Sequence, residues 1–453
     1  MRVLSIPYFS SKIHYLANLQ KLPGLIWFHE GIDQFETEWL TAIPTEEYEY
    51  LGNDQIIVRQ FNGEEKVIKD NWVEFLCRQA RDLEGDERFS FVGGLAGHLS
   101  YDLGLEVINI PSRFSDLEYP LAVVGHYDWA LHLDHKNEIA NLIIQDRCPT
   151  SIQQQLDTIK DKLFNSDNIS VKPQYSLSPW HCGMSKAGYK TAFQKIKDYL
   201  LAGDCYQVNL TRQWTLLDPE LDDLSLYLRL TKNMPAPFSM FHRSLSHTLL
   251  SVSPERFISI DNALVTTQPI KGTRKRGATE DEDSKLKDEL ANSNKDRAEN
   301  LMIVDLLRND LAKNAQPGSV KVNKLFEIQS FNNVHHLVST ISAEMKSGIH
   351  PIKLLHDAFP GGSITGAPKK RAMEIIDELE SQRRGNYCGC SFYLSANNRL
   401  DSNILIRSIT FHNHTLTCSG GGGIVIDSEQ ESEYAESAVK VEKILKAISP
   451  DQN

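Results

Sequence analysis

The feature that most constrains the fold is a long series of short strand-like runs, separated by turns and by a few grouped helical segments. In residues 205–211, Val208 and Leu210 share one face of a predicted strand, while Gln207 and Asn209 share the other. Similar runs occupy residues 55–59, 121–133, 249–252, 257–260, 264–270, 404–411 and 415–419. This order predicts an α+β layered fold rather than a doubly wound parallel sheet.

Helical segments are predicted at residues 285–315, with a possible internal break, and at 368–381 and 433–448. A further helix begins near Tyr189 and ends at Gly203. The polar stretch 165–185 contains two prolines and no periodicity, so it is the candidate linker. We therefore predict an N-terminal α/β segment over residues 1–165 and a second region over residues 185–450.

The charge balance limits the classes of partner. The 453 residues include 48 Lys plus Arg and 60 Asp plus Glu, a formal net charge of −12. Binding along a phosphate backbone needs a basic surface, so we expect no nucleic-acid partner. Because there is no run of about 18 apolar residues, we also expect no membrane span. The first residues lack the apolar core of a signal peptide.

The seven cysteines, an odd number at irregular spacing, do not form a disulfide framework. Cys388 and Cys390 form a C-x-C pair without a second pair, which argues against a zinc site. Reduced thiols and a cytoplasmic location are the expectation.

Lys271 stands where a predicted strand ends, within residues 266–274, between a proline and a glycine turn. A lysine on a turn is usually solvated. At the end of a strand it can also serve as an amine nucleophile or bind an anion.

A glycine-rich stretch at residues 359–369 leads into the helix predicted at 368–381. Gly361 and Gly366 have the spacing of a nucleotide-binding P-loop, but Ala367 stands where that motif requires lysine. The alternatives are an ordinary turn or backbone N–H groups that bind a carboxylate or phosphate.

Two acidic pairs have helical spacing. Asp296 and Glu299, like Glu433 and Glu436, are separated by three residues and share a helix face. Considered separately, each pair is best interpreted as part of a solvated helix face. Facing each other, the two pairs would suit Mg²⁺, which prefers oxygen ligands.

Three smaller features complete the candidates. His335 and His336 point to opposite faces of a predicted strand, so one is expected in a site and the other in solvent. Arg407 lies inside an apolar run and needs an anionic partner. Four glycines at residues 420–423 allow close approach to the backbone.

In this order, the motifs resemble those of the chorismate-utilising enzymes over roughly residues 185–449. The motifs stand at residues 253–257, 269–273, 296–310, 336–339, 366–369 and 421–436. The resemblance implies two packed antiparallel β-sheets with helices on the outside, and a chorismate site between the sheets.

Two positions discriminate among the branches of this family. The anthranilate and isochorismate branches have alanine where this chain has Lys271, and the isochorismate branch has a water-activating lysine at Gln207. Glutamine cannot act as a general base. The chain is therefore most similar to the aminodeoxychorismate-forming branch, whose weaker marks stand at residues 101–104 and 127–131.

The resemblance implies a role for each matching residue. Glu299 and Glu436 would bind Mg²⁺, supported by Asp296 and Glu433. His336 would lie beside the substrate ring. Substrate binding would fall to the side chains or backbone of Gln207, Ser363, Tyr387, Arg407, Gly422 and Gly423.

The implied reaction converts chorismate and ammonia to 4-amino-4-deoxychorismate, a folate precursor. Because the configuration at C4 is retained, two successive displacements are favoured. Lys271 first attacks C2, and ammonia then attacks C4. A free lysine has a pKa near 10.4, so the site must lower it. Arg274 or Lys275, together with burial, could do so.

Ammonia requires a source. None of the cysteines lies in the Gly-x-Cys-x-Gly elbow of the related glutaminases, so we expect a separate glutamine amidotransferase subunit in a heterodimer. Some relatives also bind tryptophan in the N-terminal half. Glu30 stands where a small hydroxyl residue is usual, which argues against a tryptophan site here.

Two alternatives stay open: a sister enzyme that makes anthranilate or isochorismate, and a binding module without catalysis. The competent residue types at every proposed position argue against the second.

Overall fold

The computed structural model describes residues 1–30, 37–80, 83–164, 174–331 and 334–450, without the side chains of Lys12 and Glu30. The strands that precede the candidate linker are β1 (Arg2–Ile6), β2 (Ile26–Glu30), β3 (Thr37–Thr41), β4 (Glu46–Gly52), β5 (Gln55–Gln60), β6 (Glu65–Lys69), β7 (Gly94–Leu99), β8 (Ala122–Tyr127), β9 (Trp129–Asp134) and β10 (Ile139–Ile144).

The strands that follow it are β11 (His181–Cys182), β12 (Gln207–Leu217), β13 (Phe238–Arg243), β14 (Thr248–Ser253), β15 (Arg256–Asp261), β16 (Leu264–Thr267), β17 (Ile270–Lys275), β18 (Lys321–Ser330), β19 (Val334–Glu344), β20 (Gly366–Ala367), β21 (Cys390–Ser395), β22 (Leu400–Ile404), β23 (Ser408–His412) and β24 (Thr415–Ile424). The helices are α1 (Lys12–Leu19), α2 (Trp72–Gln79), α3 (Leu103–Val107), α4 (Thr150–Phe164), α5 (Lys186–Ala202), α6 (Asp223–Asn233), α7 (Glu280–Ala291), α8 (Asn294–Ala312), α9 (Pro351–Ala358), α10 (Lys369–Leu379) and α11 (Gln430–Ile448).

The strands form two sheets. The first has the order β1-β10-β9-β3-β2-β13-β14-β23-β24-β12-β11, with β20 beside β12. The second has the order β17-β19-β16-β15-β22-β21-β7-β8-β4-β5-β6, with β18 beside β19. Each sheet mixes strands from both sides of the candidate linker, and the division into two regions stays a prediction.

Aromatic side chains fill the space between the sheets. Trp39 of the first sheet stacks on Phe91, just before β7, with ring centroids 4.1 Å apart. Tyr393 of the second sheet meets Trp39 edge-on at 5.3 Å. Large buried rings contribute strongly to core stability, so this cluster joins the two layers.

Helices cover the outer faces. Leu16, Leu156 and Ile444, from α1, α4 and α11, belong to one buried cluster with residues of the first sheet. Ile303 of α8 and Leu354 of α9 belong to the cluster that includes the second sheet. The predicted fold class, an α+β fold of two packed antiparallel sheets with helices outside, is confirmed.

The structure corrects three predicted strands, of which residues 121–133 divide into β8 in the second sheet and β9 in the first. Residues 404–411 are not one strand, because β22 in the second sheet ends at Ile404 and β23 in the first begins at Ser408. Arg407, in the crossing between them, has a φ of 53°. Residues 264–270 divide into β16 and β17, so Lys271 lies inside β17 rather than after a strand.

Two further predictions about helices are confirmed. The break predicted within residues 285–315 separates α7 from α8. Gly203 ends α5 in the left-handed conformation, with a φ of 81°. All seven cysteines are free. Over the described ranges, no helix is both long and apolar enough to cross a membrane.

Candidate active site

A bulge interrupts β17 at Lys271. Ile270 pairs with Val338 and Thr273 pairs with His336, and the register shifts between these two pairs. Gly272, within the shift, has a φ of 86°, a conformation that favours glycine. A Cβ at this position would come within 2.9 Å of the Asp296 carboxyl carbon, so the strand lies directly against the first turn of α8.

Lys271 belongs to a short polar chain. Its Nζ donates to the carbonyl oxygen of Ser363 at 3.2 Å. The Ser363 hydroxyl donates to Glu255 Oε1 at 2.8 Å. Glu255 is buried just before β15, and it is a candidate functional residue that sequence reasoning missed. The available signal was its place in the motif at residues 253–257, where an acidic residue follows a proline between two strands.

The charge state of Lys271 results from opposing effects. Burial lowers the pKa of its ammonium group, whereas the carboxylates of Glu255 and Glu299 act in the opposite direction. Lys440 of α11 lowers this pKa further. Arg274, which was expected to lower it, is instead paired with Glu289 at 2.8 Å and with Asp296.

Glu255 has the properties of a proton donor. Burial raises the pKa of its carboxyl group, while the Ser363 hydroxyl and Lys271 act against this rise. A buried carboxyl group with a raised pKa keeps its proton to a higher pH than an exposed one. It is therefore suited to general acid catalysis.

On α8, the two acidic residues have different partners. The backbone N–H of Asp296 donates to the capping hydroxyl of Ser293 at 3.3 Å, and the Asp296 carboxylate accepts from Arg274 at 3.2 Å. Burial raises the pKa of Glu299, and Glu433 of the facing helix also contributes to this rise.

The pair on α11 is also divided. Glu433 accepts a hydrogen bond from the Ser428 hydroxyl at 2.7 Å, and burial raises its pKa. Glu436 lies 2.7 Å from Lys440 in an ion pair. Burial opposes ionisation of Glu436, but Lys440, Lys295 and Lys271 together outweigh it and the net pKa is lowered.

The acidic residues of the two helices suit Mg²⁺ in donor type. Among the described residues, no group of three or more His, Cys, Asp or Glu side chains is arranged around one metal position. Mg²⁺ does not require such a cage, since it commonly takes one or two carboxylates together with substrate oxygens and water. Glu299 and Glu433 repel each other, and a bound cation would relieve that repulsion.

His336 lies beside Lys271's strand. Its Nδ1 is 2.9 Å from the Thr273 hydroxyl. Burial is the main cause that lowers the pKa of His336 to about 4, and the positive charge of Arg407 contributes to the same effect. The imidazole is therefore neutral at pH 7. His335 does not reach solvent as expected. It is buried, with Nε2 at 3.0 Å from Asp283 and Nδ1 at 2.7 Å from Ser330.

Two linked segments carry Tyr387 and Arg407. The Cys388 N–H donates to the Leu405 carbonyl at 2.8 Å, and the Leu405 N–H donates to the Gly389 carbonyl at 2.9 Å. Burial raises the pKa of Tyr387, which keeps its hydroxyl protonated. Within the described ranges, Arg407 forms no ion pair, so its guanidinium is available to donate hydrogen bonds to a ligand carboxylate.

The glycine run lies within β24, beside β12. Asn209 pairs with Gly423 and Leu210 pairs with Gly422. A Cβ at Gly423 would come within 2.8 Å of the Gln207 side-chain amide, and one at Gly422 within 3.0 Å of Glu433 Oε2. Only glycine leaves this room beside the acidic residues of α11.

The structure therefore groups the predicted site residues in three connected sets. In the first set, Lys271 interacts electrostatically with Glu299 and Glu436. In the second, His336 lies within the electrostatic influence of Arg407. In the third, the backbone of Gly423 lies close to the Gln207 side chain and that of Gly422 close to Glu433. Their roles toward a ligand stay predictions. The Glu30 side chain lies outside the described residues, so the expectation about tryptophan also stays a prediction.

The chain matches the model of the chorismate binding enzyme family over residues 34–446. It is 45% identical to aminodeoxychorismate synthase component 1 of Escherichia coli (strain K12) over 365 residues, covering 80% of this chain and 78% of the relative. It is 32% identical to anthranilate synthase component 1 of Bacillus subtilis (strain 168), covering 92% and 83% of the two chains.

A solved structure agrees. The crystal structure of anthranilate synthase component I from Streptococcus pneumoniae TIGR4 superposes with a TM-score of 0.80 and 26% identity, covering 92% of this chain and 93% of that chain. With the family model spanning most of the sequence, the predicted resemblance is confirmed, and the chain belongs to the chorismate-binding enzyme family.

Proposed function

We propose that this protein converts chorismate and ammonia to 4-amino-4-deoxychorismate for folate (p-aminobenzoate) biosynthesis. The observation that carries the proposal is Lys271, an amine with a lowered pKa connected to Glu255 through Ser363. The 45% identity to aminodeoxychorismate synthase component 1 of Escherichia coli supports it.

The substrate would be oriented by its two carboxylates. Arg407 offers a planar guanidinium for one of them, together with the Tyr387 hydroxyl. The second carboxylate would lie against the backbone at Gly422 and Gly423 and against Ser363, whose hydroxyl donates to Glu255 in the free protein. The Gln207 amide, buried at the start of β12, would contact the ring region.

In the first displacement, the Lys271 nitrogen forms a bond to C2 of chorismate, the ring double bonds shift, and the C4–O bond breaks. Glu255 supplies the proton with which the hydroxyl leaves as water, and its carboxylate then takes the proton released by the lysine nitrogen. In the second, ammonia forms a bond to C4 and the C2–N bond breaks. The proton lost by the new amine returns to Lys271, so atoms and charge balance. His336, neutral and beside Arg407, bounds the ring without donating charge.

Glu299 and Glu436 would hold Mg²⁺, with Asp296 and Glu433 supporting them. The ion would neutralise a chorismate carboxylate and help orient the substrate. The raised pKa of Glu299 beside Glu433 supports this assignment.

The ammonia would come from a glutamine amidotransferase subunit in a heterodimer. The name component 1 of the similar proteins supports a second subunit, and the missing cysteine elbow supports a glutaminase on another chain. The seven free thiols favour the cytoplasm, where thiols stay reduced.

The test is to incubate the purified chain with chorismate, Mg²⁺ and ammonium at alkaline pH. Because ring-position isomers share one mass, the product should be identified by NMR as well as mass. We expect the 4-amino isomer with ammonium, and none with glutamine until the partner is added. An amine at C2, anthranilate, or isochorismate would indicate a sister enzyme, and an unchanged substrate would indicate a binding module.

A further inference from the structure

Three elements of the candidate active site meet at Ser339 of β19, a residue with no exposed surface. Its backbone N–H donates to the carbonyl of Pro269 at 3.3 Å, two residues before Lys271. Its hydroxyl donates to Asn300 Oδ1 of α8 at 2.5 Å. Asn300 is also fully buried and directly follows Glu299. Ser339 therefore contacts both the residue just before β17, which carries Lys271, and α8, which carries Asp296 and Glu299.

The Ser339 hydroxyl also accepts a hydrogen bond from β18. The ladder between β18 and β19 shifts register between Lys324 and Glu327, which leaves two residues opposite Ser339. One of them, Phe326, has a φ of 59°, an uncommon conformation for a bulky residue. Its N–H donates to the Ser339 hydroxyl at 3.1 Å. The guanidinium of Arg297, from α8, lies 4.8 Å from the centre of its ring.

The Ser339 hydroxyl is therefore used in both directions, as donor to α8 and as acceptor from the β18 bulge. A hydroxyl offers one donor and two acceptor positions, so one side chain can make both contacts. Asn300 additionally donates to the Leu337 carbonyl at 3.5 Å, which ties α8 to the backbone of β19 a second time.

We propose that Ser339 and Asn300 form a positioning pair, in which their buried hydroxyl–amide bond fixes α8 against β17 and thereby sets the place of Glu299 relative to Lys271. The proposal deepens the proposed function and rests on it for the activity measurements. Neither residue touches substrate. Their effect passes through Glu299, one residue from Asn300, and through Pro269 at the start of the turn into β17.

The test compares Ser339→Ala and Asn300→Ala with Ser342→Ala. Ser342 is three residues along the same strand and donates to Asn323 Oδ1 of β18 at 2.8 Å, so this control removes the same type of bond without involving α8. For the two test variants, we expect kcat to fall about 10²-fold, the size of effect that a small misplacement of reacting groups can cause. The KM for chorismate should change less than threefold, because Arg407 and Tyr387 lie on other elements. The Mg²⁺ concentration for half-maximal rate should rise, and the control should match the wild type.

Hydrogen exchange provides a measurement that needs no turnover. Amides in the first two turns of α8 should exchange faster in Ser339→Ala and Asn300→Ala, but not in Ser342→Ala. The double variant should be no worse than either single variant if the two side chains act as one unit. Thr41→Val, which removes a buried bond to the Trp129 carbonyl at 2.7 Å in the other sheet, controls for a general loss of stability.

The proposal is overturned if the two test variants keep wild-type kcat and exchange, or if Thr41→Val lowers kcat and speeds exchange in α8 equally. Wild-type protein that makes no aminodeoxychorismate would instead contradict the proposed function, while the exchange result would still decide the positioning role.

Discussion

Lys271 and Lys369 occupy two regions where burial lowers the pKa of a lysine. At the start of α10, Lys369 donates to Asp310 Oδ2 at 2.6 Å and to the Ala358 carbonyl at 3.0 Å. In β17, Lys271 donates to the carbonyl of Ser363 at 3.2 Å. Within the described ranges, no carboxylate forms an ion pair with Lys271.

The difference separates a structural lysine from a reactive one. An ion pair favours the charged form of Lys369 and joins α10 to α8. The carboxylates around Lys271 lie beyond ion-pair distance, and burial lowers its pKa, which makes its neutral, nucleophilic form easier to reach than in a free lysine. Both lysines lie near glycine-containing turns in the sequence; the family resemblance singled out Lys271, and the three-dimensional contacts give the physical difference between the two.

The largest effect should come from Lys271→Ala. We expect aminodeoxychorismate formation to fall on the order of 10³-fold or more, since removing a covalent catalyst removes its whole pathway. Residual product should shift toward substitution at C2. Peptide mass mapping after a chorismate pulse without ammonia should find an adduct on Lys271 in wild type and none in the variant. Lys275→Ala, in an exposed position on the same strand, is the matched control. Wild-type turnover by Lys271→Ala would refute the covalent role.

Lys369→Met should act on stability instead. Removing Lys369 leaves buried Asp310 with only the more exposed Lys313, 3.3 Å away, at a cost of up to about 3–5 kcal/mol in the free energy of unfolding. Denaturant unfolding measures this change, and a second substitution, Asp310→Asn, should recover part of the loss. If Lys369→Met were as stable as wild type, the comparison between the two lysines would fail.

Glu299→Gln and Glu436→Gln should each reduce activity about 10²-fold and raise the Mg²⁺ requirement, because each removes a charged oxygen ligand. Glu442→Gln is the control on α11, since its carboxylate pairs with Lys446 near solvent. Mg²⁺ titrations of the initial rate make the measurement. Unchanged Mg²⁺ dependence in both test variants would remove them from the metal site.

The smallest expected effect is a shift in pH dependence. Adduct formation needs neutral Lys271, so its rate should rise with pH through the pKa of Lys271, below the usual lysine value. Glu255 raises that pKa when ionised. Glu255→Gln should therefore move the rise to lower pH, while lowering the maximal rate. Single-turnover rates from pH 6 to 10 test this, and a shift to higher pH would contradict the assigned coupling.

Local patterns in the sequence predicted many of the elements. The spacing of Tyr189 and Gly203 predicted α5, and the i, i+3 spacing placed each acidic pair correctly on one helix. The fold class followed from the family resemblance as well as from the strand pattern. These features depend on neighbouring residues or on an ordered series of motifs.

Contacts between distant residues were not predictable in the same way. Glu255 and Ser363 are 108 positions apart in the sequence. Lys440, on α11, lowers the pKa of Lys271 on β17. The apolar run around Arg407 resembles one strand because both its halves are buried, although the chain crosses between sheets there. His335 is buried because Asp283 and Ser330 provide polar partners that alternation alone does not reveal.

Gln207 has a thermodynamic consequence for substrate binding. Its amide nitrogen and oxygen are both buried, and neither has a hydrogen-bond partner among the described protein groups. Burying a polar group without a partner carries a cost of about 1–3 kcal/mol. A ligand that pairs with this amide recovers part of that cost as affinity, so the free protein gives up some folding stability in exchange for selectivity. An analogue that is unable to pair with the amide would be rejected even if it fitted by shape.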